Sequence, residues 1–236
     1  MLNSYIALDL ETTGLNPKYA RILEVGAVKI KEGKIIDTYD KIVNAKTYLS
    51  SQIVNLTGIT QEMMEEGEEI EKVMVELLDF CGDEVLLGHN IIFDYSFVKK
   101  AATNLKMTFE KEAIDTLKLA RRFLPELEKR SLEYLCEYYQ IIQKEKHRAY
   151  YDALAASQLY QVLGERFFVG NEELFKPFKL HYEVKRESPI TPRQKIYLID
   201  LAKYHKISLT VQVESLTKNE ASRMIDGIIL QYGKII

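Results

Sequence analysis

The segment "YIALDLETTGL", residues 5–15, alternates like a β-strand yet sets two carboxylates, Asp9 and Glu11, inside an otherwise apolar run. Residues i and i+2 of a strand share one face, so Asp9 and Glu11 lie side by side while Ile6, Leu8 and Leu10 face the other way, toward a core. Two like charges at that spacing repel, and desolvation adds to the cost. The chain has two ways out. On the exposed edge of a sheet the pair is harmless. Inside a fold it calls for a cationic partner, and a divalent metal ion converts the repulsion into binding energy. The "TTG" that follows is a small polar turn at a strand end, where a phosphate or sugar could approach backbone N–H groups.

The surrounding pattern predicts how this strand is packed. Alternation continues through "RILEVGAVKIKEG" and "KIIDTYDKIVN", and Glu32-Gly33 between lysines reads as a hairpin turn, so the second and third strands are expected to be antiparallel neighbours. Ile70, Val73, Met74, Leu77 and Leu78 then fall at i, i+3, i+4, i+7 and i+8, a helical stripe. "EVLLGHN" is a short apolar strand followed by the helix "FDYSFVKKAATNL"; "EAIDTLKLARRFLP" reads as strand then helix, stopped near Pro125. "SLEYLCEYYQI" is a short helix capped by Ser131. In "RAYYDALAASQLYQVLGERF", Ala153, Ala156, Leu159, Tyr160 and Leu163 form the apolar stripe of a longer helix. Strands first as a meander, then alternating with helices, predict an α/β fold with a mixed sheet and helices on its faces.

A second unit is expected after "HYEVKRESPI". Thr191-Pro-Arg-Gln194 and Thr217-Lys-Asn-Glu220 are both capping boxes, the first with proline at the first helical position. The expected division is residues 1–183 for the main domain and 184–236 for a small helical appendage. Charge divides in the same place. Residues 186–236 hold 8 Lys and Arg against 5 Asp and Glu, leaving 24 against 30 for residues 1–185 within a chain of net charge −3. An acidic body suits metal ions, and a mildly basic tail could touch phosphate through Arg193, Lys195, Lys203 and Lys206. No apolar run approaches the roughly 20 residues of a membrane span. The N-terminus has no signal-peptide pattern, and Cys81 and Cys136 sit singly, without the spacing of a disulfide framework or a zinc site. A cytoplasmic location is expected.

Three further groups bear on the carboxylate pair. "GHNIIFDYSF" puts Asp94 at the start of a helix just after a strand, and "HRAYYDALAAS" offers His147 and Asp152. On one continuous helix five residues turn through about 500°, which would set His147 and Asp152 roughly 140° apart. With His147 on the preceding loop and Asp152 in the first helical turns, both can reach one point.

Taken together, "LDLETTG" with Asp9 and Glu11, "HNIIFD" with Asp94, and "HRAYYDA" with His147 and Asp152 resemble the three motifs of the DEDDh exonucleases, the family of the proofreading epsilon subunit of DNA polymerase III. The His-x4-Asp spacing separates this branch from its tyrosine-bearing sister. "RILEVGAVKI", "AIDTLKLARRFLP" and "SLEYLCEYYQI" also resemble that family, and "LTGIT" resembles the exonuclease domain of polymerase-C-type bacterial replicases. The resemblance covers about residues 4–168. It departs at Tyr150, where the family more often has leucine, and at Thr57, where epsilon-like members often carry histidine.

The resemblance implies a ribonuclease H-like fold, with a mixed five-stranded sheet of three antiparallel and then parallel strands. It implies 3′–5′ hydrolysis of a terminal phosphodiester with release of nucleoside 5′-monophosphates. Two divalent ions, Mg²⁺ or Mn²⁺, would be held by Asp9, Glu11, Asp94 and Asp152, and His147 would take the proton from the attacking water, a task suited to imidazole. Thr12, Thr13 and Gly14 would meet the terminal sugar and 3′-OH, Leu15 and Phe93 the terminal bases, and Asn90 the backbone or a ligand; His89 would stand behind the site. The implied partners are single-stranded or frayed 3′ ends of DNA, with a polymerase or other replication partner reached through residues 184–236. A 3′–5′ exoribonuclease would carry the same constellation, and a binding module with a silent site would have lost at least one of its five groups.

Overall fold

The alternation of the first 42 residues is realised as three strands, β1 (Tyr5–Thr12), β2 (Ile22–Lys31) and β3 (Lys34–Ile42). The computed structural model describes residues 1–235; the last residue of the expected appendage, Ile236, lies outside them. The β2–β3 turn has both Glu32 and Gly33 at positive φ, 53° and 76°, the backbone that lets a two-residue turn follow the twist of an antiparallel pair. Beyond it the chain runs α1 (Ser51–Thr57), α2 (Gln61–Glu65), α3 (Ile70–Cys81), β4 (Leu86–Gly88), α4 (Ile92–Asn104), β5 (Glu112–Asp115), α5 (Thr116–Phe123), α6 (Leu132–Tyr139), α7 (Ala149–Phe167) and β6 (Phe178–Lys179). The strand order is β3-β2-β1-β4-β5-β6, with β4 and β5 parallel to β1 and the other pairs antiparallel.

The sheet has six strands, one more than expected. The sixth, β6, is two residues long and pairs antiparallel with β5 at Glu112 and Ala113. A two-residue strand shows no period, so nothing in the sequence announces it.

Both sheet faces are covered, and this sorts the residues of β1. Ile6, Leu8 and Leu10 pack with Val73, Met74 and Leu77 of α3 and with Tyr95, Val98 and Ala102 of α4. Tyr5 and Ala7 point to the opposite layer, formed by Leu119 and Ala120 of α5, Leu135 of α6, and Ala153, Ala156, Leu159, Tyr160 and Leu163 of α7. By the same alternation Asp9 and Glu11 face the α7 side. The edge-strand alternative is thereby removed, because β1 lies in the interior of the sheet between β2 and β4. Cys81 and Cys136 are free and buried.

The N-terminal turn of α7 lies directly on β2. A Cβ built on Gly26 would fall inside the van der Waals envelope of the Tyr150 nitrogen and the Ala149 carbonyl carbon, so only glycine permits this approach. Gly26 is the register partner of Asp9, and Glu24 is the partner of Glu11.

The chain forms two compact units, residues 1–45 with 51–184, and residues 46–50 with 185–236. The second contains α8 (Pro192–Tyr204) and α9 (Lys218–Tyr232), each opened by a complete capping box at Thr191 and Thr217. Leu198, Leu201, Val213, Leu216, Ala221, Ile225 and Ile228 make its core, and Gln194 Nε2 ties α8 to the start of α9 through the Lys218 carbonyl and Ser222 Oγ, both at 2.9 Å. Thr47 bridges Val211, so the unit recruits a short stretch far upstream. Among the described residues no helix is long and apolar enough to cross a membrane.

Gly26→Ala must push the start of α7 off the sheet. A destabilisation of about 1–3 kcal/mol is expected, which lowers Tm by roughly 3–10 °C in circular-dichroism melts. A Tm within 1 °C of the parent would show that the contact is slack.

Candidate active site

β4 is shorter than β1 and pairs with it only at Ile6–Leu86 and Ala7–Leu87. The C-terminal half of β1 therefore lacks a strand neighbour on that side. Asp94 fills the gap from the first turn of α4, its Oδ1 accepting the Leu10 N–H at 3.0 Å. It is buried and does not cap its helix, because the N-cap position belongs to Ile91. Asp94 thus joins Asp9 and Glu11 at the same strand end.

The third contribution comes from α7. His147 lies outside the helix at φ 56°, Arg148 is the N-cap, and Asp152 stands in the first turn. This is the loop-plus-first-turn arrangement that lets both residues reach one point. One ligand atom each from Glu11, His147 and Asp152 lie within 4.8 Å of one another. Gln143 also donates to Asp152 Oδ1 at 2.9 Å.

The electrostatics are those of crowded, poorly solvated carboxyls. Burial raises the Glu11 carboxyl to about 8, reinforced by Asp152 and Glu24 and opposed by Arg148. Burial raises Asp152 to about 6, with His147 pulling it down. Asp9 is held well above the carboxylate range, first by desolvation and then by Asp94, Asp152, Glu11 and Glu24. Asp94 is raised by desolvation as well, despite the backbone N–H groups that favour its charge. The nearby guanidinium, Arg148, is already committed to Glu24. The Glu11 and Asp152 carboxylates converging with the His147 imidazole, with Asp9 and Asp94 close enough to interact electrostatically, make a hard, oxygen-rich donor set of the kind that fits Mg²⁺ or Mn²⁺.

The remaining expected residues lie at the end of β1 and on the loop after it, and around the start of α4. Thr12 Oγ1 donates to the Gly14 carbonyl at 2.8 Å, and Thr13 Oγ1 accepts the Arg21 N–H at 2.9 Å. Each hydroxyl thus shapes the loop and keeps a second capacity, Thr12 as acceptor and Thr13 as donor. Leu15 is 87% exposed at the loop tip. Phe93 is half-buried beside Phe97, with ring centroids 5.0 Å apart. Asn90 is exposed in the left-handed region at φ 71°, held there through its own N–H on Asp115 Oδ1 at 3.0 Å. His89 has both ring nitrogens engaged, Nδ1 with Thr116 Oγ1 and Nε2 with the Arg130 carbonyl, and burial lowers its pKa. It braces the loop that carries Asn90.

Four residues escaped the sequence reading. Asp115 accepts the N–H groups of Leu117 and Lys118 at the start of α5 while holding Asn90. Gln143 binds Asp152. Glu24 and Arg148 form an ion pair at 2.7 Å with the Glu24 side chain fully buried. Only Glu24 left a signal of the kind that marked Asp9, an acid inside the apolar run "ILEVGAV".

Residues 6–160 match the exonuclease family RNase_T. The chain is 39% identical over 156 residues to the PolC-type DNA polymerase III of Caldanaerobacter subterraneus subsp. tengcongensis, spanning 66% of this chain and 11% of that protein. It is 34% identical over 191 residues to the PolC-type DNA polymerase III of Staphylococcus aureus, spanning 79% and 13%. The chain thus corresponds to about a tenth of these relatives' length. Among solved structures, exonuclease X in complex with 5′-overhanging duplex DNA aligns at 26% identity and TM-score 0.58, covering 72% of this chain and 97% of that one. The zinc-bound E. coli exonuclease I–single-stranded DNA complex aligns at 19% identity and TM-score 0.63, covering 71% and 41%, and shows the shared fold. With its motifs, its ribonuclease H-like sheet and this match over residues 6–160, the chain belongs to the DEDDh exonuclease family.

Proposed function

We propose that this chain is a metal-dependent 3′–5′ exonuclease that hydrolyses the 3′-terminal phosphodiester of DNA and releases nucleoside 5′-monophosphates, in the cytoplasm, in proofreading, repair or end trimming. Residues 1–183 are its exonuclease domain and 184–236 a helical appendage. The observation that carries the reading is the convergence of Glu11, His147 and Asp152 ligand atoms within 4.8 Å at the strand end shared with Asp9 and Asp94. DNA as substrate is supported by the relatives, which are DNA polymerases, and by neighbours solved with DNA.

Asp9, Glu11, Asp94 and Asp152 would hold two Mg²⁺ or Mn²⁺ ions. Bound there, the ions supply Lewis-acid stabilisation of the oxygens at the reacting phosphate. His147, on a left-handed loop residue ahead of α7, accepts the proton of the attacking water. Thr13 Oγ1 donates to the terminal 3′-OH and Thr12 Oγ1 accepts from it, the capacities their loop bonds leave over. Leu15 and Phe93 pack against the terminal bases without reading their identity. Asn90, fixed by Asp115, faces the incoming backbone.

End-labelled single-stranded DNA, duplex DNA and RNA, incubated with Mg²⁺ or Mn²⁺, test this directly. Shortening of DNA from the 3′ end is expected. Asp9→Ala should lower the rate by about 1,000-fold or more, and His147→Ala by about 10²–10⁴-fold. Consumption of RNA alone would overturn the substrate and leave the site; product formation that Asp9→Ala does not abolish would overturn the catalytic reading.

The raised carboxyl values make a second expectation. In the metal-free protein Glu11 moves from 4.5 to about 8 and Asp152 from 3.8 to about 6 on folding, so the folded state binds more protons than the unfolded one across that interval. Stability in chelator therefore falls as pH rises from roughly 4 to 8, by a few kcal/mol or about 5–10 °C in Tm. Added Mg²⁺ should restore most of the loss at pH 8 and little at pH 5, because the ligands must be deprotonated to bind. A metal-free Tm that rises through this window would contradict it.

A further inference from the structure

We propose that Glu24 is a positioning residue for the reaction, fixing the rotation and seat of α7 so that His147 and Asp152 reach Glu11. The inference rests on the exonuclease reading above and adds to it a residue outside the motif set.

Both carboxylate oxygens of Glu24 meet the start of α7, and its carboxylate also interacts with Asp40 of β3. Oε1 accepts from Arg148 Nε at 2.9 Å and from Arg148 Nη2 at 2.7 Å, while Oε2 accepts the Ala149 N–H at 2.9 Å. The first turn of a helix leaves N–H groups without intrahelical partners, and a side chain at the N-cap normally takes one of them. Here the N-cap is Arg148, whose guanidinium only donates and which makes no side-chain cap bond. The capping is done by β2, from a residue 125 positions away in sequence. A local cap would fix the helix end to its own loop. A strand-borne cap fixes it to the sheet that carries Asp9 and Glu11.

The register makes that attachment specific. Glu24 is paired with Glu11 and Gly26 with Asp9, so the two contacts that seat α7 lie directly beside the two carboxylates of β1. Gly26 sets the height of the helix by admitting its backbone, and the fork on Arg148 sets its rotation. Arg148 also reaches Glu145 at 3.5 Å, so the residues flanking the His147 loop are tied to each other as well as to β2.

The geometry supports a role beyond stability. A buried ion pair can commonly be replaced by apolar residues without loss of stability. An apolar pair cannot pin a helix end by three hydrogen bonds.

The test uses Glu24→Gln, which keeps an acceptor for the Ala149 N–H but loses the two-sided fork, and Arg148→Lys, which keeps the charge without the fork. With the full chain at saturating Mn²⁺, kcat for 3′-nucleotide release is expected to fall about 10- to 100-fold in each folded variant. KM for the oligonucleotide should stay within about threefold, because the loss is in the transition state. Calorimetric titration with Mn²⁺ should show binding weakened by about tenfold. A folded variant of either kind with parental kcat and Mn²⁺ affinity overturns the proposal. So does failure of both variants to fold, which would make the pair structural. If the parent itself releases no nucleotide, the exonuclease reading fails on its own. Mn²⁺ affinity then decides for Glu24, a tenfold loss upholding its positioning and parental affinity overturning it.

Discussion

Carboxylates crowded at one strand end in a poorly solvated setting are the constraint on which the rest of this structure depends. Asp9 and Glu11 are adjacent by the geometry of a strand, Asp94 is brought in by the need to satisfy the Leu10 N–H where β4 falls short, and Asp152 arrives on the first turn of α7. Each placement has an ordinary local cause. Their sum is an arrangement in which burial and mutual repulsion hold the carboxyls above their ordinary values, a cost that a shared cation would relieve.

Holding such a cluster together requires rigid supports of a different kind. The sheet provides one through the apolar residues on its two faces, and α7 is joined to it by a backbone contact at Gly26 and a carboxylate at Glu24. On the opposite side Asp115 and His89 do similar work for the loop carrying Asn90. The residues of the proposed site are therefore held by Glu24, Asp115 and His89, each buried or half-buried and each making two or more hydrogen bonds. This is how a reactive geometry is kept in a fold whose layers are otherwise apolar.

Much of this was legible in the sequence because period and charge conflict there. An acid inside an alternating apolar run marked β1, the stripes at Val73–Leu77 and Ala153–Leu163 marked α3 and α7, and Glu32-Gly33 marked the hairpin. The metal-site candidates were legible through their motif spacing, once His147 was placed ahead of the helix. What stayed hidden depends on tertiary register. β6 is too short to have a period, and the bridge of Thr47 to Val211 joins segments with no pattern in common. Glu24 carried the same signal as Asp9, but its role needs the partner strand and the end of α7, neither of which a linear pattern supplies.

The central claim is that the buried acids exist to hold divalent cations. Calorimetric titration of the metal-free chain with Mn²⁺ at pH 8, beside Asp9→Ala, tests it most directly. The account predicts about two ions bound per parent chain and the loss of that binding in the variant. No binding to the parent, or equal binding by both proteins, would contradict it and leave the carboxylate cluster without the counter-charge on which this structure is argued to rest.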